Sequence, residues 1–215
     1  MTDNRYRTWL FEKLAEGCVK TLKKHGFDAH FVPNVNDARD LILNMVSGYE
    51  TFGFGGSETV RFMGIPEELK ARGKKVYDHW KEGLSTEEDL DIRLKQGRCD
   101  CFLVSANAVS VSGEIVNVDG IGNRVCAMTF GPKKVVIAAG MNKVTPNLES
   151  AIKRVREVAA PIRAKSLGLK TPCTETGICS DCNSPQRICR VTTILHRKPM
   201  LTDISVVLIN QTLGF

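Results

Sequence analysis

The 215-residue sequence carries 30 Lys and Arg against 24 Asp and Glu, a net charge of +6, with 42% hydrophobic and 25% charged residues. This is the composition of an ordinary globular chain; it excludes a low-complexity or charge-extended polymer, and the length suits one substantial α/β domain. The basic residues are scattered rather than gathered beside aromatics, which argues against nucleic-acid binding and leaves a small anionic ligand or an acidic partner to explain the excess.

The segment Met1 to Leu10 has no apolar core of signal-peptide length, and no run approaches a membrane span, so a cytoplasmic protein is expected. From Tyr6 to Lys24, Leu10, Leu14, Val19 and Leu22 recur at roughly helical spacing, with Lys23 and Lys24 at the end favourable to the helix dipole before Gly26 stops it. Phe27 to Val32 reads as a strand ended by Pro33, and Asn36 as the cap of a second helix carrying Ala38, Leu41, Ile42 and Met45. The alternation of strand and helix favours an α/β fold with a mostly parallel sheet flanked by helices.

Thr51 to Phe54 is a short strand running into Gly55-Gly56-Ser57-Glu58-Thr59, followed by a short helix. Glycines between strand and helix let a backbone approach a ligand, and the helix amides with the Ser57 and Thr59 hydroxyls can hold a phosphate or carboxylate. The competing explanation for Gly53, Gly55 and Gly56 is steric, since strand-to-helix turns use glycine without any ligand. Pro66 to Arg72 reads as a helix and Lys75 to Asp78 as a strand. Ser85-Thr-Glu-Glu88 is a capping box opening a helix through Leu90, Ile92 and Leu94 to Gly97. His79 and Trp80 either border a ligand crevice or pack.

Asp100 begins the central strand, whose apolar run is Cys101 to Val104, and Lys134 to Ala139 is a second strand with the run Val135 to Ala139; both runs are Val-rich and read as buried on both faces. Ligands in open α/β sheets bind outside the carboxyl ends of the strands, which places Asn107, Asp119, Asn123 and Lys143 at the expected crevice. For Asn117, Asp119 and Asn123 the alternative is turn-making through side-chain to backbone bonds. Cys99 and Cys101, two apart on an extended chain, are expected on one side, where they serve as small hydrophobes, as do Cys18 and Cys126. Glu114 reads as an exposed edge residue rather than a nucleophile. Asn147 or Pro146 starts a helix with Leu148, Ile152, Val155 and Val158, ending near Pro161.

Cys173-x5-Cys179-x2-Cys182-x6-Cys189 is the most specific chemical signal. In a reducing compartment such clustering points to metal or redox chemistry rather than disulfides, and thiolates suit zinc or iron-sulfur clusters. Arg187 and Arg190 help balance the charge of a thiolate cluster. Strands at Val191 to Leu195 and Ser205 to Ile209 return the chain to the domain, so residues 171–190 form a cysteine-rich, metal-binding insertion within a single domain spanning 1–215.

The stretch Ser112 to Arg124, SGEIVNVDGIGNR, followed by FGPKKVVIAAGMNKV from Phe130 to Val144, resembles the LUD domain, the family of lactate-utilisation proteins. The resemblance extends to Gly53 to Thr59 and to the cysteine-bearing tail. It implies a fold similar to the ribose-phosphate isomerases, glucosamine-phosphate isomerases and CoA transferases, and a place in oxidation of lactate or a related 2-hydroxy acid. The acid and base of the isomerases are not both evident, because Asn107 follows the central strand where they carry acidic residues. The resemblance favours an iron-sulfur cluster of the 4Fe-4S kind on Cys173, Cys179, Cys182 and Cys189, passing electrons, over zinc. No flavin or nicotinamide fingerprint is present, so a hydride acceptor would come from a partner redox subunit. The alternative is a non-redox enzyme or binding module for a phosphorylated or CoA-like ligand, with a structural zinc site. No catalytic residue is assigned.

Overall fold

Apolar runs without polar interruption form the inner strands, and segments with helical periodicity cover them. The computed structural model describes residues 5–215. Helix α1 (Arg5–Lys24) leads to β1 (Asp28–Val32), α2 (Val35–Met45) and β2 (Thr51–Phe54). Two short helices, α3 (Glu58–Phe62) and α4 (Ile65–Ala71), precede β3 (Lys75–Tyr77) and α5 (Thr86–Gln96). Next come β4 (Cys101–Val104), β5 (Ala108–Ser110), β6 (Ile115–Asp119), α6 (Asn123–Thr129) and β7 (Lys134–Gly140). A 3-10 turn at Met141–Lys143 and β8 (Val144–Thr145) lead into α7 (Leu148–Arg154), a π turn at Val155–Ala159 and α8 (Ala160–Ser166). Helix α9 (Pro172–Thr176), β9 (Val191–Leu195) and β10 (Asp203–Ile209) complete the order.

Six strands form a sheet in the order β1-β10-β7-β4-β2-β3, every neighbouring pair parallel. One face packs Phe102, Val104, Val135 and Ile137 against Ala15, Cys18 and Leu22 of α1 and Ala127 and Met128 of α6. The other packs Cys101, Leu103, Val136 and Ala138 against α2, α3 and α4. This two-sided burial explains why β4 and β7 read as unbroken apolar runs. A second, mixed sheet in the order β8-β5-β6-β9 lays Val109, Ile115 and Leu195 on the first core and gives Ala108 and Val116 to α7.

Several expectations change. Helix α2 is capped by Asn34, whose side chain accepts from the amides of Asn36 and Asp37, so Asn36 lies inside the first turn. The Ser85 capping box forms with both reciprocal bonds, but Leu90 and Leu94 of α5 are 55% and 59% exposed and only Gln96 of that helix is buried. Cys99 and Cys101 belong to opposite faces of the sheet, because the strand starts only at Cys101 and the preceding turn redirects Cys99. Cys126 is exposed on α6, in contrast to buried Cys18. The helix begun at Asn147 passes through Pro161 instead of ending there; the π turn immediately before relaxes the hydrogen-bond pattern that a proline would break.

The chain leaves β2 toward the β3 edge, whereas after β4 it crosses to β7 on the other side. These neighbouring strands therefore have diverging connections, and a crevice opens between their carboxyl ends. The segment after β10 closes over it: Met141 N–H donates to Gln211 O at 3.0 Å and Leu213 N–H to Asn142 Oδ1 at 3.1 Å. Gly140 permits this approach, since a Cβ there would lie 2.6 Å from Gln211 O and 2.7 Å from Leu213 N. Gly140→Ala should thus lower stability by about 2–3 kcal/mol in urea unfolding. Gly48→Ala, where a Cβ meets nothing within 4 Å, should leave it within about 0.5 kcal/mol.

Candidate functional site

A cavity of about 350 Å³ occupies the crevice. The turn after β2 brings Gly56, Ser57 and Glu58 to it, the turn after β4 brings Ser105 and Asn107, and the 3-10 turn after β7 brings Lys143. The second sheet and α6 add Asp119, Asn123 and Arg124, and α8 adds Arg163.

Of the three glycines read as a ligand cradle, only Gly56 lines the cavity. A Cβ on Gly53 would press on Cys99 Sγ and Phe102 at 3.0 Å, and one on Gly55 would meet Val104 at 2.9 Å and Arg124 at 3.0 Å. Gly56 itself faces Trp80 at 3.1 Å. All three make room for side chains. The Ser57 hydroxyl accepts from Val60 N–H at 3.2 Å and so caps α3. Thr59 is buried and not on the cavity wall, but its hydroxyl accepts from Lys143 Nζ at 3.3 Å.

Asn107, Asn117 and Asp119 act on the backbone. Asn107 Oδ1 accepts from Val118 N–H at 2.9 Å and from Arg124 Nη2 at 3.1 Å, while Asn107 N–H donates to Asn117 Oδ1 at 3.1 Å. Asp119 accepts from the amides of Gly120, Arg124 and Val125, which fixes the entry into α6. Asn123 Oδ1 accepts from Arg93 at 3.4 Å. The turn-making explanation therefore accounts for the hydrogen bonds of Asn117 and Asp119, although Asn107, Asp119 and Asn123 do border the cavity.

Lys143 is the unusual group. It is 4% exposed, and its Nζ donates to Ser105 Oγ at 2.9 Å and to Thr59 Oγ1 at 3.3 Å. Among the described residues no carboxylate pairs with it. Burial, then the charges of Arg154 and Arg124, push its pKa from 10.5 down to about 7. Arg154 donates to the carbonyls of Asn142 and Asn107, and Arg124 to Asn107 Oδ1 and Val118 O; the Arg124 Nε lies 3.9 Å from Asp119. The cavity's outer cations are better paired: Arg163 meets Glu58 at 3.1 Å and Arg93 meets Asp89 at 2.7 Å. Positive charge thus exceeds negative at the cavity floor, where solvation is poorest.

Trp80 forms another wall, with Arg61 4.1 Å and Arg163 5.2 Å from its ring centroid. His79 lines the cavity and bonds Gln96 at 2.9 Å; burial and then Arg93 lower its pKa, so it is neutral near pH 7. Glu114, half-buried, accepts from Ser112 Oγ at 2.6 Å and lies outside the cavity. Sequence reasoning missed Ser105, Arg124, Arg154 and Arg163. Ser105 follows the central strand directly, a signal the strand-end rule contains; the arginines on helices read like solvated charges.

The four tail cysteines share the loop between α8 and β9, free and partly buried. Arg187 organises it, donating to Cys189 O at 2.8 Å, Cys182 O at 2.7 Å and Asp181 at 2.7 Å. Burial raises the Cys189 thiol, Arg187 opposes this, and the sulfurs of Cys179, Cys173 and Cys182 add to the rise, so the four groups are close enough to interact. Among the described residues, however, no three His, Cys, Asp or Glu side chains are arranged to hold a metal ion. The donor chemistry fits a thiolate-bound metal, whereas the arrangement stops short of a coordination shell. Ile188, next to Cys189, forms part of the cavity wall and packs on Gly120. No described helix is long and apolar enough to cross a membrane.

The LUD domain family model matches residues 15–209. A DUF162 family protein from Deinococcus radiodurans is similar in structure with a TM-score of 0.55 at 12% identity, covering 93% of this chain and 98% of that one. A ribose 5-phosphate isomerase from Plasmodium falciparum gives a TM-score of 0.30 at 14% identity over 58% of this chain and 66% of its own, too slight to carry an argument. No curated protein matches in sequence.

The depressed Lys143 pKa has a thermodynamic consequence. The unfolded lysine, at 10.5, binds a proton that the folded one has released above about 7, so stability should rise with pH between those values and the penalty should be fully present below them. Urea unfolding of the wild type should show this rise relative to Lys143→Met, which lacks the titrating group; parallel profiles would contradict it.

Proposed function

The chain belongs to the LUD domain family, which is associated with lactate utilisation, and on that premise we propose that its cavity binds lactate or a related 2-hydroxy acid as a participant in its oxidation. The observation that carries this reading is the excess of positive charge along the cavity: Lys143 has no carboxylate partner among the described residues, and Arg124 faces only Asp119, 3.9 Å away and already accepting from three backbone amides. A carboxylate entering there would relieve the mutual repulsion of the cations and replace some of their lost hydration. The Ser105 hydroxyl and the Asn123 side chain offer polar contacts suited to the substrate hydroxyl.

Electron transfer through the cysteine loop belongs to the same reading. Cys173, Cys179, Cys182 and Cys189 would hold an iron-sulfur cluster, which supplies one-electron transfer when bound. The position of Ile188 in the cavity wall supports it, since a cluster on the loop would adjoin the ligand. Arg187 would fix two of the ligand residues by their carbonyls and offset thiolate charge. Electrons would leave to a partner redox subunit. The competing reading, a phosphorylated or CoA-like ligand beside a structural zinc, draws on the same excess of positive charge.

Calorimetric titration with lactate, ribose 5-phosphate and CoA separates the ligands. Lactate should bind in preference, more tightly as pH falls through about 7 because Lys143 gains its charge, and Arg124→Met should weaken it by about tenfold or more. Preference for the phosphorylated ligands would overturn the carboxylate reading. Anaerobically purified protein should absorb broadly in the visible, with iron and acid-labile sulfide, and lose both in the Cys179→Ser, Cys182→Ser double variant; colourless protein with one zinc would overturn electron transfer.

A further inference from the structure

A lysine used only to attract a carboxylate is poorly served by its surroundings here. Arg124 and Arg154 repel an ammonium at Lys143, no carboxylate stabilises one, and both guanidiniums keep their charge where an amine does not. What the site supplies to Lys143 suits the neutral nitrogen instead. Lys143 is shielded from solvent and lines the cavity, and its Nζ contacts two hydroxyls, Ser105 Oγ at 2.9 Å and Thr59 Oγ1 at 3.3 Å, either of which can accept or return a proton. The carboxyl-terminal segment covers it: a Cβ on Gly214 would stand 3.2 Å from Nζ and 2.9 Å from Thr59 Oγ1. Of the other charged groups around the cavity, Glu58 is paired with Arg163, and Asp119 is bonded to backbone amides.

We propose that Lys143 is a nucleophile toward 2-oxo acids, its Nζ condensing reversibly with the ligand ketone to form an imine while the Arg124 guanidinium on the cavity wall holds the ligand carboxylate. This rests on the carboxylate-binding reading above and adds a covalent step to it. The nitrogen lone pair attacks C2 and a C–N bond forms; the carbonyl π pair moves to oxygen, which is protonated. The oxygen then departs as water with the two protons lost by nitrogen, leaving C=N. No oxidant or reductant enters. The Ser105 hydroxyl is placed to relay the protons, and the 2-oxo acid is the class of compound produced when a 2-hydroxy acid is oxidised. A desolvated lysine beside other cations is the arrangement that activates an amine toward a carbonyl.

The test is reductive trapping of the wild-type protein with pyruvate and borohydride, followed by peptide mapping, with pyruvate binding measured separately by calorimetry. Trapping should attach one reduced pyruvate at Lys143 in preference to the surface lysines, rise in rate as pH passes upward through about 7, and disappear in Lys143→Met, whose folding is checked by circular dichroism. Ser105→Ala, which keeps the amine, should slow trapping by about tenfold. Pyruvate binding with no adduct at Lys143 would overturn the nucleophile and leave the carboxylate site standing. Absence of both binding and adduct would overturn both.

Discussion

Holding buried Lys143 beside the partly buried Arg124 and Arg154 is unfavourable unless their donors find acceptors, and much of the architecture around the crevice supplies those acceptors. Hydroxyls from α3 and from the turn after β4 serve Lys143, the Asn142 and Asn107 carbonyls serve Arg154, and the Asn107 side chain and Val118 carbonyl serve Arg124. These acceptors satisfy hydrogen bonds without neutralising charge. The result is a folded site whose donors are held but whose charge remains available to an anion.

The second sheet is what makes that arrangement possible. A parallel sheet alone ends in a row of loops, whereas here β5 and β6 rise from the end of β4 and return through Asp119 into α6, bringing Arg124 back over Gly55. Asn117 Oδ1, accepting from Asn107 N–H, and Asn107 Oδ1, accepting from Val118 N–H, lock the turn before β5 to β6. Strand β9 pairs with β6 along five residue positions, so the cysteine loop that precedes it is tied to the same wall. The cavity and the cysteine loop are therefore mechanically adjacent, although they are distant in sequence.

The fold was legible where local chemistry decides it. The apolar runs of β4 and β7, the capping box of Ser85 and the Asn147 cap all depend on residues within one turn or strand. Helix α2 misled by two residues because two asparagines both suit a cap, and Pro161 misled because a π turn upstream cannot be read from periodicity. At the site, Lys143 was found by its position after a strand. Arg124 and Arg163 were not, since their sequence surroundings match those of solvated arginines and only tertiary packing brings them to one cavity. For the glycines of the Gly53 to Thr59 turn, close contacts with Cys99, Arg124 and Trp80 supply the steric explanation that the sequence offered beside the ligand one.

The proposed carboxylate site turns on Lys143, a desolvated amine with no carboxylate partner among the described residues. Its titration can be followed directly by nitrogen-15 NMR of the lysine Nζ, assigned with Lys143→Met, without and with lactate. The account expects a midpoint near about 7 in the free protein, moving upward when the carboxylate binds. A midpoint at the ordinary value of 10.5, unmoved by lactate, would contradict it.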